Sequence, residues 1–291
     1  MSENKKMTVP AYAKINWSLR ITGVKDGYHE LDMIMDSVSL CDTLFLERTD
    51  DGIVTVDAMR QVARMQDNLI WRAAKALQEY TGTGYGVRVQ IQKRIPSGAG
   101  LGGGSSDAAA TLLGLNELWE LCLDRSVLER IGLSIGSDVP YCVRQGRQRA
   151  KGRGQILSAC GGTAVYHLVL VKDEEPSPTG PVYLEYDRNG SDAAFDQEEL
   201  IKALASGDPQ QVAEAIGQPN DLALAATRVC PQILSTMRRL QKTQPLASWV
   251  TGSGAACVGI FRSQQDAKRA ENELRKKGFW CCAVETRKGT E

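Results

Sequence analysis

The sequence predicts an α+β fold in two parts, and three observations carry that prediction. The first is a strand, a glycine-rich loop and a helix in immediate succession around residues 96–107. The second is a change of composition near Gly161 and Gly162, with a polar, helix-rich stretch beyond it. The third is a βα…ββαβ order over residues 167–285, the order of a ferredoxin-like domain. A length of 291 residues allows one large domain or two ordinary ones. The change of composition divides it into residues 1–160 and 161–291.

Residues 11–21 alternate with the period of a strand. Ile15, Trp17, Leu19 and Ile21 point one way, and Lys14, Asn16, Ser18 and Arg20 the other. An ordinary strand with a wet face accounts for this pattern. A strand presenting one ammonium and one amide to a ligand accounts for it too. Asp26-Gly27 marks a tight turn. Tyr28 and His29 follow it, where they could stack on and hydrogen-bond a flat ligand. Residues 38–46 read as a strand or hairpin. Asp67-Asn68 stands ahead of Leu69, Ile70, Ala73, Ala74 and Leu77, which is a capped helix. Residues 81–86 read as a loop. Val87, Val89 and Ile91 then alternate with Arg88, Gln90 and Gln92 in a half-buried strand.

That strand leads into Pro96-Ser97-Gly98-Ala99-Gly100-Leu101-Gly102-Gly103-Gly104-Ser105-Ser106-Asp107, five of whose twelve residues are glycine. Glycine admits positive φ and lets other atoms come close to the backbone. Leu112, Leu115 and Trp119 recur at helical spacing, with Cys122 one turn on and Ser106 or Asp107 as the natural N-cap. Successive N–H groups backed by a helix N-terminus form an anion site, so this loop is expected to hold nucleotide phosphates. Gly98, Gly100 and Gly103 satisfy G-x-G-x-x-G, yet no strand ending in an acidic residue follows about 20 residues on. The Walker pattern lacks its Gly-Lys-Ser/Thr, and the His-Arg-Asp and Asp-Phe-Gly of protein kinases are absent.

In Ile135-Gly136-Ser137-Asp138-Val139-Pro140 the proline restricts the residue before it, and one carboxylate is fixed at the mouth of a segment. A plain helix cap and a working carboxylate fit this pattern equally. Residues 144–153 are basic and read as an exposed hairpin. Beyond them come a strand at 167–171, a Pro/Ser/Thr loop at 174–180, Val182-Tyr183 and a polar surface stretch at 187–196. Helices are expected at 198–206, 209–216, 220–229, 231–241 and 264–277, and strands at 248–250, 256–261 and 279–285. Thr251-Gly252-Ser253-Gly254 is a second, smaller glycine turn between strands.

Thirty-five basic and thirty-five acidic residues cancel, so no broad field points to nucleic acid or membrane. No apolar run approaches the roughly 20 residues of a membrane span, and the first seven residues have no signal-peptide core. A cytoplasmic protein is expected. None of the eight cysteines forms a C-x-x-C pair, so reduced, buried thiols are the expectation. With only His29 and His167, a histidine-based metal site is not expected.

Three motifs in order, residues 11–19, 96–107 and 251–254, resemble those of the GHMP kinase superfamily, which includes galactokinase, homoserine kinase and mevalonate kinase. Ala13-Lys14-Ile15-Asn16, Asp26-Gly27-Tyr28-His29-Glu30-Leu31, Asp67-Asn68-Leu69-Ile70, the glycine run and Gly136-Ser137-Asp138-Val139-Pro140 narrow it further. Together they resemble the family of 4-diphosphocytidyl-2-C-methyl-D-erythritol kinases. The resemblance covers nearly the whole chain. Asp-Gly-Tyr-His-Glu-Leu is its most discriminating piece, since other superfamily kinases do not share it. The chain departs from the pattern in its extra polar residues at the start, in Trp17, and in Gly-Ser-Asp where Gly-Ala-Asp is commoner. Residues 177–186 match loosely.

The resemblance implies the two-domain α+β GHMP kinase fold. Residues 1–160 would be an α/β nucleotide-binding domain and 161–291 a ferredoxin-like α/β substrate-side domain, with the active site in the cleft between them. It implies ATP on residues 96–106, with Asn68 near the nucleotide base and Mg²⁺ bridging the phosphates within reach of Ser105 or Ser106. Asp138 would be the catalytic base and Lys14 its partner, with Asn16 near the reacting hydroxyl and Gly252 on the substrate. Tyr28 and His29 would hold a cytosine and Tyr183 would stack on its other face. The implied reaction is phosphorylation of the 2-hydroxyl of 4-(cytidine 5'-diphospho)-2-C-methyl-D-erythritol in the non-mevalonate isoprenoid route. Another GHMP-type kinase, for homoserine, mevalonate or a sugar, remains an alternative, as does a non-catalytic ATP-binding protein. The expected partner is a small molecule carrying a cytidine diphosphate group, with no nucleic acid and no membrane. The chain is expected to be a monomer or weak homodimer.

Overall fold

A two-residue turn starts the fold. Asp26 and Gly27 both take left-handed φ, 51° and 77°, which is the twist that joins two antiparallel strands most tightly. The strands it joins are long: β1 is Lys6–Lys25 and β2 is Tyr28–Thr49. The computed structural model describes residues 5–57 and 65–289. Two compact units make up the chain.

The first unit comprises Met1–Ala13, Cys41–Ile95 and Gly102–Arg144. Within it β3 (Val54–Asp57) runs parallel to β4 (Gly86–Gln92). β4 pairs antiparallel with the end of β2, from Thr43↔Gln92 to Thr49↔Gly86. Helix α1 (Leu69–Thr81) buries Ile70, Ala73, Ala74 and Leu77, the apolar positions its sequence spacing predicts. It packs on α2 (Gly103–Leu118). Gly114 lets α2 approach closely, since a Cβ there would lie 2.5 Å from Leu46 and 2.7 Å from Val9. α3 (Arg125–Ile135) and the single turn-and-a-half of α4 (Val139–Arg144) complete the unit.

The second unit comprises Lys14–Leu40, Pro96–Leu101 and Gln145–Glu291. Its first sheet pairs the start of β2 with β5 (Gln148–Gly152), and β5 with β6 (Ile156–Ala159). The basic run at 144–153, expected to be an exposed hairpin, supplies only the first strand of one, whose second strand is β6, and its start is buried: Arg147 is 7% and Gln148 8% exposed. The second sheet contains β7 (His167–Lys172), β8 (Ala247–Val250), β9 (Cys257–Phe261) and β10 (Trp280–Glu285). Its order is β10-β7-β9-β8 and every pair is antiparallel. With helix before β8 and after β9, this is the ferredoxin-like arrangement that the element order predicts.

Five helices separate β7 from β8. They are α5 (Thr179–Asn189), α6 (Gln197–Ser206), α7 (Pro209–Ile216), α8 (Ala223–Val229) and α9 (Gln232–Gln241). α10 (Gln264–Arg275) joins β9 to β10. α5 departs from expectation, because it extends through residues read as loop and polar surface. It ends at Gly190, whose φ of 70° stops the helix.

The polar face of β1 is not wet. Lys14, Asn16 and Ser18 are 5%, 2% and 1% exposed, so both faces of the strand's middle are buried. Each polar group consequently has a partner. The Ser18 hydroxyl donates to Gln197 Oε1 at 2.7 Å and accepts the Ile34 N–H at 3.3 Å. On the apolar side, Trp17 stacks on Trp249 at 5.2 Å and meets the edge of Tyr166 at 5.5 Å.

Arg147 holds this region together. Its guanidinium pairs with the fully buried Asp36 at 2.7 Å and donates to the carbonyls of Gly161, Leu204 and Ala164 at 2.6, 3.2 and 2.8 Å. Burial pushes the Asp36 carboxyl up to about 6, against the opposing pull of Arg147. Replacing Arg147 by Met would leave the buried carboxylate without its ion-pair partner and the Gly161 and Ala164 carbonyls without this donor, while Trp17 Nε1 still reaches Asp36 and the Tyr166 hydroxyl still reaches Leu204. Urea unfolding should show a loss of about 3–5 kcal/mol, part of it restored by adding Asp36→Asn.

Candidate active site

The floor of the site in the second unit is the middle of β1. Lys14 Nζ donates to Asn16 Oδ1 at 2.7 Å. The Asn16 N–H donates to Thr251 Oγ1 at 2.8 Å, and Trp249 Nε1 donates to the Asn16 carbonyl at 2.8 Å. A Cβ at Gly252 would stand 3.5 Å from both Lys14 Nζ and Asn16 Oδ1. Lys14, Asn16 and Gly252 are thus brought together, as the three sequence motifs require. Asn220 fixes the turn from below, its Nδ2 donating to the carbonyls of Val250 and Gly252, each at 2.8 Å.

The glycine loop is tied to the same turn. The Ala256 N–H donates to the Ala99 carbonyl at 3.0 Å, and the Ser177 N–H to the Gly98 carbonyl at 3.1 Å. The Lys14 N–H donates to the Leu101 carbonyl at 3.0 Å. Gly98, Gly100 and Gly102 adopt φ of 61°, 75° and 69°, whereas Ala99 and Leu101 between them are not left-handed. Such alternation turns backbone N–H groups toward a common centre, the geometry of an anion nest.

In the first unit the loop becomes α2 earlier than the sequence suggests. The helix starts at Gly103, with Gly102 at the cap position and no side chain capping it. The expected caps, Ser106 and Asp107, lie inside the helix. The N–H groups of its first turn therefore have no intrahelical acceptor. Ser106 turns inward: its hydroxyl donates to the Tyr12 carbonyl at 2.6 Å, and its N–H to Gly102 at 2.8 Å. Both of its donors are thus engaged within the protein, and the hydroxyl oxygen keeps only its acceptor capacity. Ser105 is half-buried at the helix start.

Asp138 immediately precedes α4 and is half-buried, and its carbonyl accepts the Cys142 N–H at 3.0 Å. Cys142 Sγ lies 3.4 Å from Ser106 Oγ. A Cβ on Gly136 would be 4.0 Å from Ser105 Oγ. The Asp138 turn and the uncapped start of α2 therefore share one end of the first unit. Lys93 braces that end, bonding Asp107 at 2.6 Å and Asp42 at 2.5 Å. Asp42 in turn accepts the N–H of Ile95 at 2.8 Å. Burial pushes the Asp107 carboxyl up to about 7 although Lys93 opposes it. Nothing in the sequence flags Lys93 or Asp42, because their roles exist only once β2, β4 and α2 meet.

Asn68 is the N-cap of α1, its Oδ1 accepting the Ile70 N–H at 2.9 Å. Tyr28 and His29, consecutive on β2, face opposite ways. Tyr28 is 52% exposed, with the Arg153 guanidinium 3.6 Å from its ring centre. His29 faces α5, with Tyr183 4.7 Å away at an interplanar angle of 35°. Tyr186 presents its edge at 6.1 Å and Asp187 Oδ1 lies 2.7 Å from His29 Nε2. The loosely matching segment thus does deliver Tyr183 to His29. The sequence motifs do not single out Arg153 or Asp187 as neighbours of Tyr28 and His29. The i, i+4 spacing of Tyr183 and Asp187 was the available signal for the latter. Among the described residues, no group of three or more His, Cys, Asp or Glu could hold a metal ion.

These features are those of a glycine-rich loop with the geometry of an anion nest, hydrogen-bonded to a ferredoxin-like sheet. The chain matches the GHMP kinases N terminal domain over residues 68–146 and the GHMP kinases C terminal domain over residues 200–279. It is 35% identical over 288 residues to a 4-diphosphocytidyl-2-C-methyl-D-erythritol kinase of Thermodesulfovibrio yellowstonii, covering 96% of this chain and 98% of the relative. It is 37% identical over 274 residues to the enzyme of that name from Moorella thermoacetica, covering 93% and 95%. A crystal structure of 4-(cytidine 5'-diphospho)-2C-methyl-D-erythritol kinase superposes with a TM-score of 0.80 at 32% identity, covering 97% of this chain and all of that one. A homoserine kinase from Cytophaga hutchinsonii superposes at 0.72 with 14% identity over 100% of this chain and 97% of that one, a likeness of fold alone. The chain belongs to the 4-diphosphocytidyl-2-C-methyl-D-erythritol kinase family of GHMP kinases.

At Gly100 the loop meets backbone, and a Cβ there would lie 2.6 Å from the Thr251 carbonyl and 2.8 Å from that of Gly254. Gly100→Ala adds this clash to a left-handed φ. It should lower the unfolding free energy by about 1–3 kcal/mol and weaken ATP binding, read by thermal unfolding with and without Mg-ATP.

Proposed function

We propose that this chain transfers the terminal phosphoryl group of ATP to the 2-hydroxyl of 4-(cytidine 5'-diphospho)-2-C-methyl-D-erythritol, giving the 2-phosphate and ADP. It is a small-molecule kinase of the non-mevalonate isoprenoid route, at work in the cytoplasm. The observation that carries this reading is the uncapped, glycine-built start of α2 lying beside the Asp138 turn, in a chain that follows its family over nearly its whole length.

Phosphoryl transfer asks the protein for positioning and charge stabilisation rather than covalent chemistry. The N–H groups of Gly103, Gly104 and Ser105 would take the phosphate oxygens, helped by the positive end of the α2 dipole. Residues 96–102 would wrap the same phosphates. Asn68 would lie near the nucleotide base through the α1 end that it caps. Mg²⁺, carried on the phosphates, would neutralise part of their charge.

The acceptor hydroxyl must lose a proton, and Asp138 is a carboxylate fixed by a short helix start. Lys14, with its ammonium oriented by Asn16, would favour the ionised carboxylate and the developing alkoxide. Asn16 and Gly252 would meet the substrate beside it. His29 and Tyr183 would hold the cytosine, while Tyr28, on the other side of β2 with the Arg153 guanidinium over its ring, stands apart from that pair. At 4.7 Å, His29 and Tyr183 touch each other, so His29 meets the edge of the base and Tyr183 its face.

Asp138→Asn should lower turnover by about 10²–10⁴-fold while ATP affinity holds. Substantial residual activity would remove Asp138 as the base. The reading as a whole is tested by ADP release with Mg-ATP and the cytidine compound, run beside homoserine, mevalonate and galactose, with and without a chelator. Turnover is expected only with the cytidine compound and only without chelator. Turnover with another of the alcohols alone would overturn the substrate assignment.

A further inference from the structure

α5 presents three side chains to one histidine. Tyr183, Tyr186 and Asp187 stand at i, i+3 and i+4, so they share a face of the helix. His29 receives all three, with its side chain 18% exposed. Two of these contacts are aromatic and would be satisfied by any flat ring. The third is not. Asp187 Oδ1 stands 2.7 Å from Nε2, and an ionised carboxylate can only accept a hydrogen bond. The imidazole must therefore place a proton on Nε2. In the neutral ring Nδ1 then keeps its lone pair, since the hydrogen bond at one nitrogen decides the state of the other.

Resting on the base-binding role given to His29 above, we propose that Asp187 is a positioning residue that sets the preference for cytosine over uracil. Cytosine carries an exocyclic amino group at C4, which donates to a bare imidazole nitrogen. Uracil carries a carbonyl there, which would oppose one acceptor with another. The Tyr183 contact seals one face of the imidazole, so a base meets the ring at its edge, where this distinction is read. A site built to hydrogen-bond a polar group discriminates strongly against an analogue that leaves the pair unmade. Asp187 contributes no contact to the base. It acts by fixing which nitrogen of His29 is available.

The test uses the full chain, with 4-(cytidine 5'-diphospho)-2-C-methyl-D-erythritol and its uridine counterpart as competing acceptors, compared by kcat/KM. The unaltered protein should prefer the cytidine compound by at least about 10²-fold. Asp187→Ala should cut that preference by about tenfold or more, with the loss in KM rather than in kcat. Asp187→Asn should preserve most of it, because the amide oxygen still accepts from Nε2. The ¹⁵N spectrum of the imidazole gives the readout that a purely structural role would not move. The chain has two histidines, so His167 is an internal reference. His29 should show a protonated Nε2 and a bare Nδ1, changing to a mixture of tautomers in Asp187→Ala. An unchanged preference in Asp187→Ala, or a doubly protonated His29 in the unaltered protein, would overturn the inference. His29→Ala separates the two levels. If it raises the KM for the cytidine compound while Asp187→Ala leaves the preference alone, only the role of Asp187 fails. If it leaves that KM unmoved, the base pocket fails and the inference with it.

Discussion

Around Ala99 and Gly100 the backbone runs within hydrogen-bonding distance of residues 251–256, and no Cβ fits at Gly100 beside the Thr251 and Gly254 carbonyls. The Ala99 carbonyl holds the Ala256 N–H, and the Leu101 carbonyl holds the Lys14 N–H. Three stretches far apart in sequence are thereby joined by main-chain bonds, with Thr251 Oγ1 adding a side-chain bond to the Asn16 N–H. The register of Lys14 against the loop follows from this, and so does the place of Gly252 against Lys14 and Asn16. Gly100 could not be exchanged, because a substituent would meet backbone carbonyls that have nowhere to go.

Burying the polar side of β1 is the second consequence. Lys14, Asn16 and Ser18 sit where water cannot serve them, so the protein supplies partners from Gln197, Thr251 and Trp249. Buried polar networks cost more than apolar packing unless they are satisfied, but they specify a single arrangement. Arg147 performs the same service for Asp36 and three carbonyls. A phosphotransfer site needs an ammonium and an amide held still, and a hydrogen-bonded interior holds them better than a solvated face would.

The first unit solves a related problem at the start of α2. An anion site needs N–H groups without acceptors, yet a helix start without acceptors is unstable by itself. Asp107 and Lys93 secure the helix one turn further in, and Ser106 ties it to the Tyr12 carbonyl. Anchoring is thus displaced from the first turn to the second. The N–H groups of the first turn are left without a side-chain cap, and the side chains that look like caps in the sequence hold the helix in place.

Local signals were legible wherever the physics was local. The Asp26-Gly27 turn, the Asn68 cap, the α1 stripe and the ferredoxin-like order could be read directly, since each depends on residues within a few positions of each other. The GHMP family could be read from short motifs kept in order along the chain. Three things could not: the burial of the β1 polar face, the inward turn of Ser106 and the extent of α5. The first two depend on what covers a strand or helix, and a period-2 or period-3.6 pattern is silent about that. Asp187 makes the same point, lying 158 positions from the histidine that it meets at 2.7 Å. By itself the sequence determined which residue types stand in which motif, and hence the class of chemistry. Only the tertiary structure decided which of them keep a hydrogen-bonding group to spare, because partners distant along the chain consume the others.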